Sequence, residues 1–198
     1  MKGLTLLGIV KGLAKDAELA ESTFEEVNPL AVGIHISPEE LMGLEAVVQG
    51  EIDEVPLSSY EMVYAKKLSR FGEVQVPSPS LVTIFKRAKD KEIPVIALDM
   101  DEETYSDIYT ETISGLSMIR TSLKLKRVNR KKFRSTTAEE FSIEWDRAVN
   151  SKAYMKLERI RENHMADEIR KSISKYSPLL CLVELERMNG IVSQLEEK

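Results

Sequence analysis

Ile93-Pro94-Val95-Ile96-Ala97-Leu98-Asp99-Met100-Asp101 is the stretch whose reading decides the fold. Apolar residues run from Ile93 to Leu98 with only Pro94 interrupting, and two aspartates then lead into the acidic helix start Glu102-Glu103. A strand apolar on both faces is covered by helices on both sides, so this run reads as the central strand of a parallel α/β sheet. Ligands of such sheets gather at the carboxyl ends of the strands, where Asp99 and Asp101 fall.

Upstream, the pattern alternates strand and helix. Leu4–Val10 reads as a strand, Asp16–Val27 as an amphipathic helix stopped by Asn28-Pro29, and Ala31–Ile36 as a second strand. Ser37-Pro38-Glu39-Glu40 carries a serine cap, a proline at the first helical position and a glutamate closing a capping box. Strands joined this way pair in parallel. A helix is expected from Ser58 or Ser59 to Phe71, ended by Gly72, and Glu73–Val76 reads as a short edge strand. Ser78 and Pro79 are placed as cap and first residue of helix Ser80–Asp90.

Downstream, the spacing from Glu102 to Tyr176 is helical with almost no strand signal. Thr137-Ala138-Glu139-Glu140 is a capping box for helix Ala138–Val149, and a long helix covers Lys152–Tyr176. Pro178 ends it, Leu179–Val183 is the last strand, and Ile191–Glu196 a short terminal helix. The expected architecture is α/β: one domain over residues 1–198, with a small, mainly parallel sheet flanked by helices. A long all-helical excursion, about residues 102–176, precedes the last strand.

With 198 residues, 42% of them apolar, the chain can bury one core. A net charge of −5 makes neither nucleic acid nor a membrane surface the default partner. Cys181 is the only cysteine, so no intrachain disulfide forms. No apolar run approaches the roughly 20 residues of a membrane span. Lys11 and Lys15 break the apolar start, which reads as a strand rather than a signal peptide. The expected location is cytoplasmic.

Three constellations could carry chemistry. Asp99, Asp101, Glu102 and Glu103 cluster after a strand, where carboxylates bind a divalent cation or hold a base; as simple helix caps, Asp101 and the two glutamates need no ligand. His35 lies near the end of Val32-Gly33-Ile34-His35-Ile36, where a base or a hydrogen-bonded structural histidine would sit, and Gly33 allows close backbone approach. The basic tract holds Arg120, Lys124, Lys126, Arg127, Arg130, Lys131, Lys132 and Arg134, with no acid between Leu116 and Thr137. Lys124, Arg127, Arg130 and Lys131 form a candidate phosphate or partner patch, though pairing with the acidic first third of the chain would explain them more simply. The sequence contains no Gly-rich phosphate loop, Gly-x-Ser-x-Gly elbow, His-Glu-x-x-His or cysteine pair.

The order of motifs resembles the TraB/Tiki superfamily, which includes erythromycin-esterase-like and ChaN-like proteins. Its opening strand ends Gly-Thr-x-His, against Gly8-Ile9-Val10-Lys11 here. Its Pro-x-x-Val-x-x-Glu-Leu strand is similar to Pro29-Leu30-Ala31-Val32-Gly33-Ile34-His35-Ile36. Its middle strand ends in an aspartate, like Leu98-Asp99. The late-helix motif Arg-acid-x-x-Met-Ala-x-x-Ile resembles Arg161 through Ile169, and the final Gly-x-Gly-His-x-x-Gly-Ile lies against Glu184 through Ile191. The resemblance spans nearly the whole chain.

That resemblance implies metal-dependent hydrolysis through two histidines and a glutamate. Here Lys11, Arg187 and His35 stand in their places. Lysine and arginine offer a metal no lone pair, whereas they do favour an anion. The expectation is therefore a divergent member lacking the catalytic histidines, a pseudoenzyme that binds a small anionic ligand at the strand ends. Lys11, Arg161, Glu162 and Arg187 are its expected binding residues. No cofactor is required, although a divalent metal stays open. The alternative is a hydrolase, with metal or with His35 and Asp99 as base and orienter. A third reading is an interaction protein acting through basic helix 120–134 on an acidic partner, with nucleic acid ranked below. A homodimer through the helical excursion is also expected.

Overall fold

Alternate residues of the last strand divide the core between two layers of helices. In β4 (Leu179–Glu184), Leu180 and Leu182 face one side, while Leu179, Cys181 and Val183 face the other, all fully buried. Burial on both faces is what an unbroken apolar run encodes. The structure, a computed structural model, describes residues 1–52 and 56–197.

Four parallel strands form the sheet: β1 (Leu4–Ile9), β2 (Ala31–Ile34), β3 (Val95–Ala97) and β4, in the order β1-β4-β2-β3. The α/β class and the helical excursion before the last strand are as the sequence implies. The lateral placement differs. The run from Ile93 to Leu98, expected at the centre, supplies only the three-residue edge strand β3, while β4 inserts between β1 and β2. Apolarity on both faces reports layers above and below a strand and carries no information about its lateral neighbours.

Helices α1 (Asp16–Val27), α2 (Pro38–Gln49) and α4 (Pro79–Asp90) cover one face, with Phe24, Leu44, Ile84 and Phe85 packed on Val32, Ile34, Leu180 and Leu182. Helices α8 (Lys152–Ile173) and α9 (Leu185–Glu196) cover the other through Met165, Ala166, Ile169 and Ile191. Gly33 leaves room for the side chains of its sheet neighbours: a Cβ there would lie 2.9 Å from both Cys181 Sγ and Leu98 Cδ2. A third cluster lies beyond the strand ends. There Tyr64 and Leu68 of α3 (Ser59–Leu68) and Val128 of α6 (Gly115–Arg130) meet Phe141 and Trp145 of α7 (Ala138–Val149).

Capping chemistry sets several helix starts. Ser37 and Ser58 each close a capping box with the glutamate three residues on, and the Asp101 carboxylate accepts from Thr104 N at 2.7 Å to open α5 (Glu102–Thr112). Two local expectations are corrected, and a third is refined. Residues 73–76 form only an isolated antiparallel bridge, Leu13 to Val74, because that segment is tied to the loop after β1 rather than to the sheet. Ser78 is the N-cap residue of α4 with Pro79 in its first turn, as expected, but its Oγ makes no cap bond and instead accepts from Gly12 N at 3.1 Å, tying that helix start to the same loop. The terminal helix begins at Leu185, directly from β4. Among the described residues no helix is long and apolar enough to cross a membrane.

Candidate functional site

Each strand delivers one charged or titratable side chain at its carboxyl end: Lys11 just after β1, His35 after β2, Asp99 after β3 and Glu184 at the last position of β4. Glu184 is the hub. Its Oε1 lies 3.6 Å from His35 Nε2 and 3.9 Å from Lys11 Nζ. Lys11 also faces Glu61 at 4.0 Å, with no hydrogen bond to either carboxylate. Burial works against charge on Glu184, but the cations Lys11, Arg161 and Arg187 outweigh it and hold this carboxylate below its ordinary range.

His35 is buried, with Nδ1 3.2 Å from the Leu182 carbonyl oxygen. A carbonyl only accepts, so this contact places a proton on Nδ1 and leaves Nε2 without a hydrogen bond among the described residues. Burial lowers the histidine pKa against the pull of Glu184. The ring is thus neutral at pH 7 and packs behind the cleft.

The two arginines expected at a ligand are already committed. Arg161 donates from Nε to Asp99 Oδ2 at 3.0 Å, from NH2 to the same oxygen, and from NH1 to Glu158 Oε2 at 2.9 Å. Arg187 is buried, reaching Glu162 Oε1 at 3.2 Å and Asp146 as well. Asp99 also accepts from Met100 N at 2.9 Å, which locks its rotamer. No hydrogen bond joins His35 to Asp99; each is held by a different partner.

A cleft of about 540 Å³ lies between the strand ends and the helical excursion; Lys11, Arg161, Glu184 and Arg187 line it, whereas His35, Asp99 and Glu162 do not. Lys11, Arg161 and Arg187 are its cations, set against Glu61, Asp146, Glu158, Glu184 and Glu186. Tyr60 and Tyr64 line one wall, and Tyr105, Tyr109 and Tyr154 the other. Tyr109 and Tyr154 share a hydroxyl–hydroxyl hydrogen bond of 2.9 Å, and the Arg161 guanidinium lies 5.9 Å from the centre of the Tyr105 ring. Tyr60 accepts from Trp145 Nε1 at 2.7 Å.

Glu186 is the exception to this matching. Its Oε2 accepts from Ser142 Oγ at 2.6 Å, yet it has no ion-pair partner among the described residues. Burial first, and the charge of Glu184 second, push it up to about 7. The neighbouring Arg187 is spent on other carboxylates. Glycine at 190 makes part of that arrangement geometrically feasible, because any Cβ there would collide with the Glu162 carboxylate.

Among the described residues no three His, Cys, Asp or Glu side chains group as a metal ion requires. In the cleft, Lys11, Arg161 and Arg187 lie beside the carboxylates Glu184, Asp99 and Glu162.

Glu184, Glu186, Glu158, Asp146 and the tyrosines are functional candidates that sequence reasoning missed. Their positions are ordinary in the chain; only the fold gathers them. Glu184 alone had a readable signal, as an acid ending an otherwise apolar strand. Asp101 is a helix cap at the surface, and Glu102 and Glu103 are exposed in the first turn of α5.

The basic tract lies on α6 and the loop after it. Lys131 pairs with Glu144 of α7 at 3.0 Å and lies over the Phe133 ring, while Lys124 bonds the Asn150 carbonyl. These partners sit in the excursion itself, not in the acidic first third of the chain. Arg127 and Arg130 are exposed. On the same helix Leu116, Ile119 and Leu123 are also exposed.

No protein-family model matches the chain, and no curated protein matches it.

Proposed function

We propose that this chain is a TraB-like fold repurposed for binding, whose strand-end cleft takes a small organic cation. The observation that carries this reading is the mismatch at Glu186: every arginine in the cleft is already paired, and one carboxylate beside it is not. Added positive charge relieves the repulsion between Glu184 and Glu186, and the tyrosine faces favour cations. The small anion expected from the sequence would find only Lys11 with unspent donors, facing five carboxylates. Pseudoenzyme character follows from the substitutions at Lys11 and Arg187.

The test is thermal unfolding with methylammonium, with inorganic phosphate and with sodium chloride at matched ionic strength. A ligand at a hundred times its dissociation constant adds about 2.7 kcal/mol, or roughly 5–10 °C for a chain of this size. Stabilisation by methylammonium that Glu186→Gln removes is the expected result. Stabilisation by phosphate alone, removed by Lys11→Met, would restore the anionic ligand.

One observation favours a second reading. Glu184 is held ionised while Glu186 is pushed up to about 7, a separation that suits an acid–base pair in hydrolysis. Turnover of nitrophenyl esters or glycosides that both Glu184→Gln and Glu186→Gln abolish would establish it, in place of the His35 and Asp99 pair.

A further inference from the structure

A second cavity, of about 300 Å³, adjoins the charged cleft, and the side chains of Lys11, Glu61 and Tyr64 line both. Its remaining wall is mainly apolar, with Ile36, Leu44, Val47, Val74 and Leu81 among its residues, and Glu40, Gln75 and Ser78 as its polar members. Glycine at 43 also borders it, and a Cβ there would meet nothing within 4 Å. On the shared wall the Tyr64 hydroxyl is buried and has no hydrogen-bond partner among the described residues. A buried hydroxyl without a partner is costly to a fold, and this one belongs to a residue that lines both the charged and the apolar space.

We propose that the two cavities form one binding site for an alkylammonium or arylammonium amphiphile. Its ammonium group lies between Glu184, Glu186 and the Tyr64 hydroxyl oxygen, which accepts a hydrogen bond from it. Its apolar tail fills the cavity beside α2. The head-group half rests on the cation reading given above, whereas the tail half rests on this cavity alone. The volume suits a short chain or one ring, below the size of most drug-sized ligands.

The experiment is calorimetric titration of the full chain with methyl-, butyl- and hexylammonium, and with alkyl carboxylates and alcohols of the same lengths. Alkylammonium binding should tighten about fourfold per added methylene, as burial of that group in an apolar cavity implies. Gly43→Leu should melt higher than the wild type, since leucine favours a helix interior over glycine. The same variant should lose the gain per methylene, because its side chain enters the open space. Alkylammonium binding with no dependence on chain length would overturn the tail site and leave the cation reading standing. Length-dependent binding of carboxylates or alcohols with no preference for ammonium would overturn the cation reading and leave the tail site standing. Absence of binding across all three series would overturn both.

Discussion

The imidazole Nε2 of His35 lies 3.6 Å from Oε1 of Glu184, yet burial keeps the ring neutral. The folded pKa is depressed below the ordinary 6.5, so the stability it contributes is present above that value. As pH falls below 6.5 the unfolded chain takes up a proton that the folded chain refuses, and stability drops. His35→Asn should therefore flatten the fall in melting temperature between pH 6.5 and 5.5. An unchanged slope would mean that the ring is solvated.

Glu186 has the opposite sign. Its folded value of about 7 lies above the ordinary 4.5, so its contribution is complete below 4.5 and is lost as pH rises through 7. Glu186→Gln should stabilise the protein by about 1–2 kcal/mol at pH 8 and by almost nothing at pH 4.5. Denaturant melts of both forms at the two pH values make the comparison.

Asp99 lies 6% exposed against the Arg161 guanidinium. Removing one member of such a pair strands the other charge, which is the expensive way to lose an ion pair. Asp99→Ala should cost on the order of 3 kcal/mol, whereas Asp101→Ala, at an exposed helix cap, should cost about 1 kcal/mol. Equal losses would show that Arg161 is satisfied by Glu158 alone.

Gly190 gives Glu162 its room beside α9. Gly190→Ala should displace that carboxylate from Arg187 and destabilise by about 1–3 kcal/mol, despite the better helix propensity of alanine. In the double variant Gly190→Ala/Glu162→Ala the substituted methyl meets no carboxylate. Adding Gly190→Ala to Glu162→Ala should then lower the melting temperature by much less than adding it to the wild type.

Periodicity and caps were legible one residue at a time. The bounds of α1 and α7, the capping box at Ser37, and the apolar last strand all follow from local rules of spacing and hydrogen bonding. The candidate site was legible only in part. Lys11, His35, Asp99, Arg161, Glu162 and Arg187 do lie at the strand ends, and Glu184 is marked as the acid ending an apolar strand, but the partners Glu158 and Asp146 had no local mark. A charged residue on a helix looks the same in sequence whether it faces solvent or a buried guanidinium.

The sequence by itself determined the α/β class and the helical excursion, because hydrophobic period and capping act between residues near in the chain. Tertiary structure alone decided that β4 lies inside the sheet and the run at Ile93 at its edge, since lateral pairing joins segments far apart in sequence. It also decided the character of the cleft. Two arginines that read as free cations became neutralised elements of the wall, because charges taken out of water must find their counter-charges within reach.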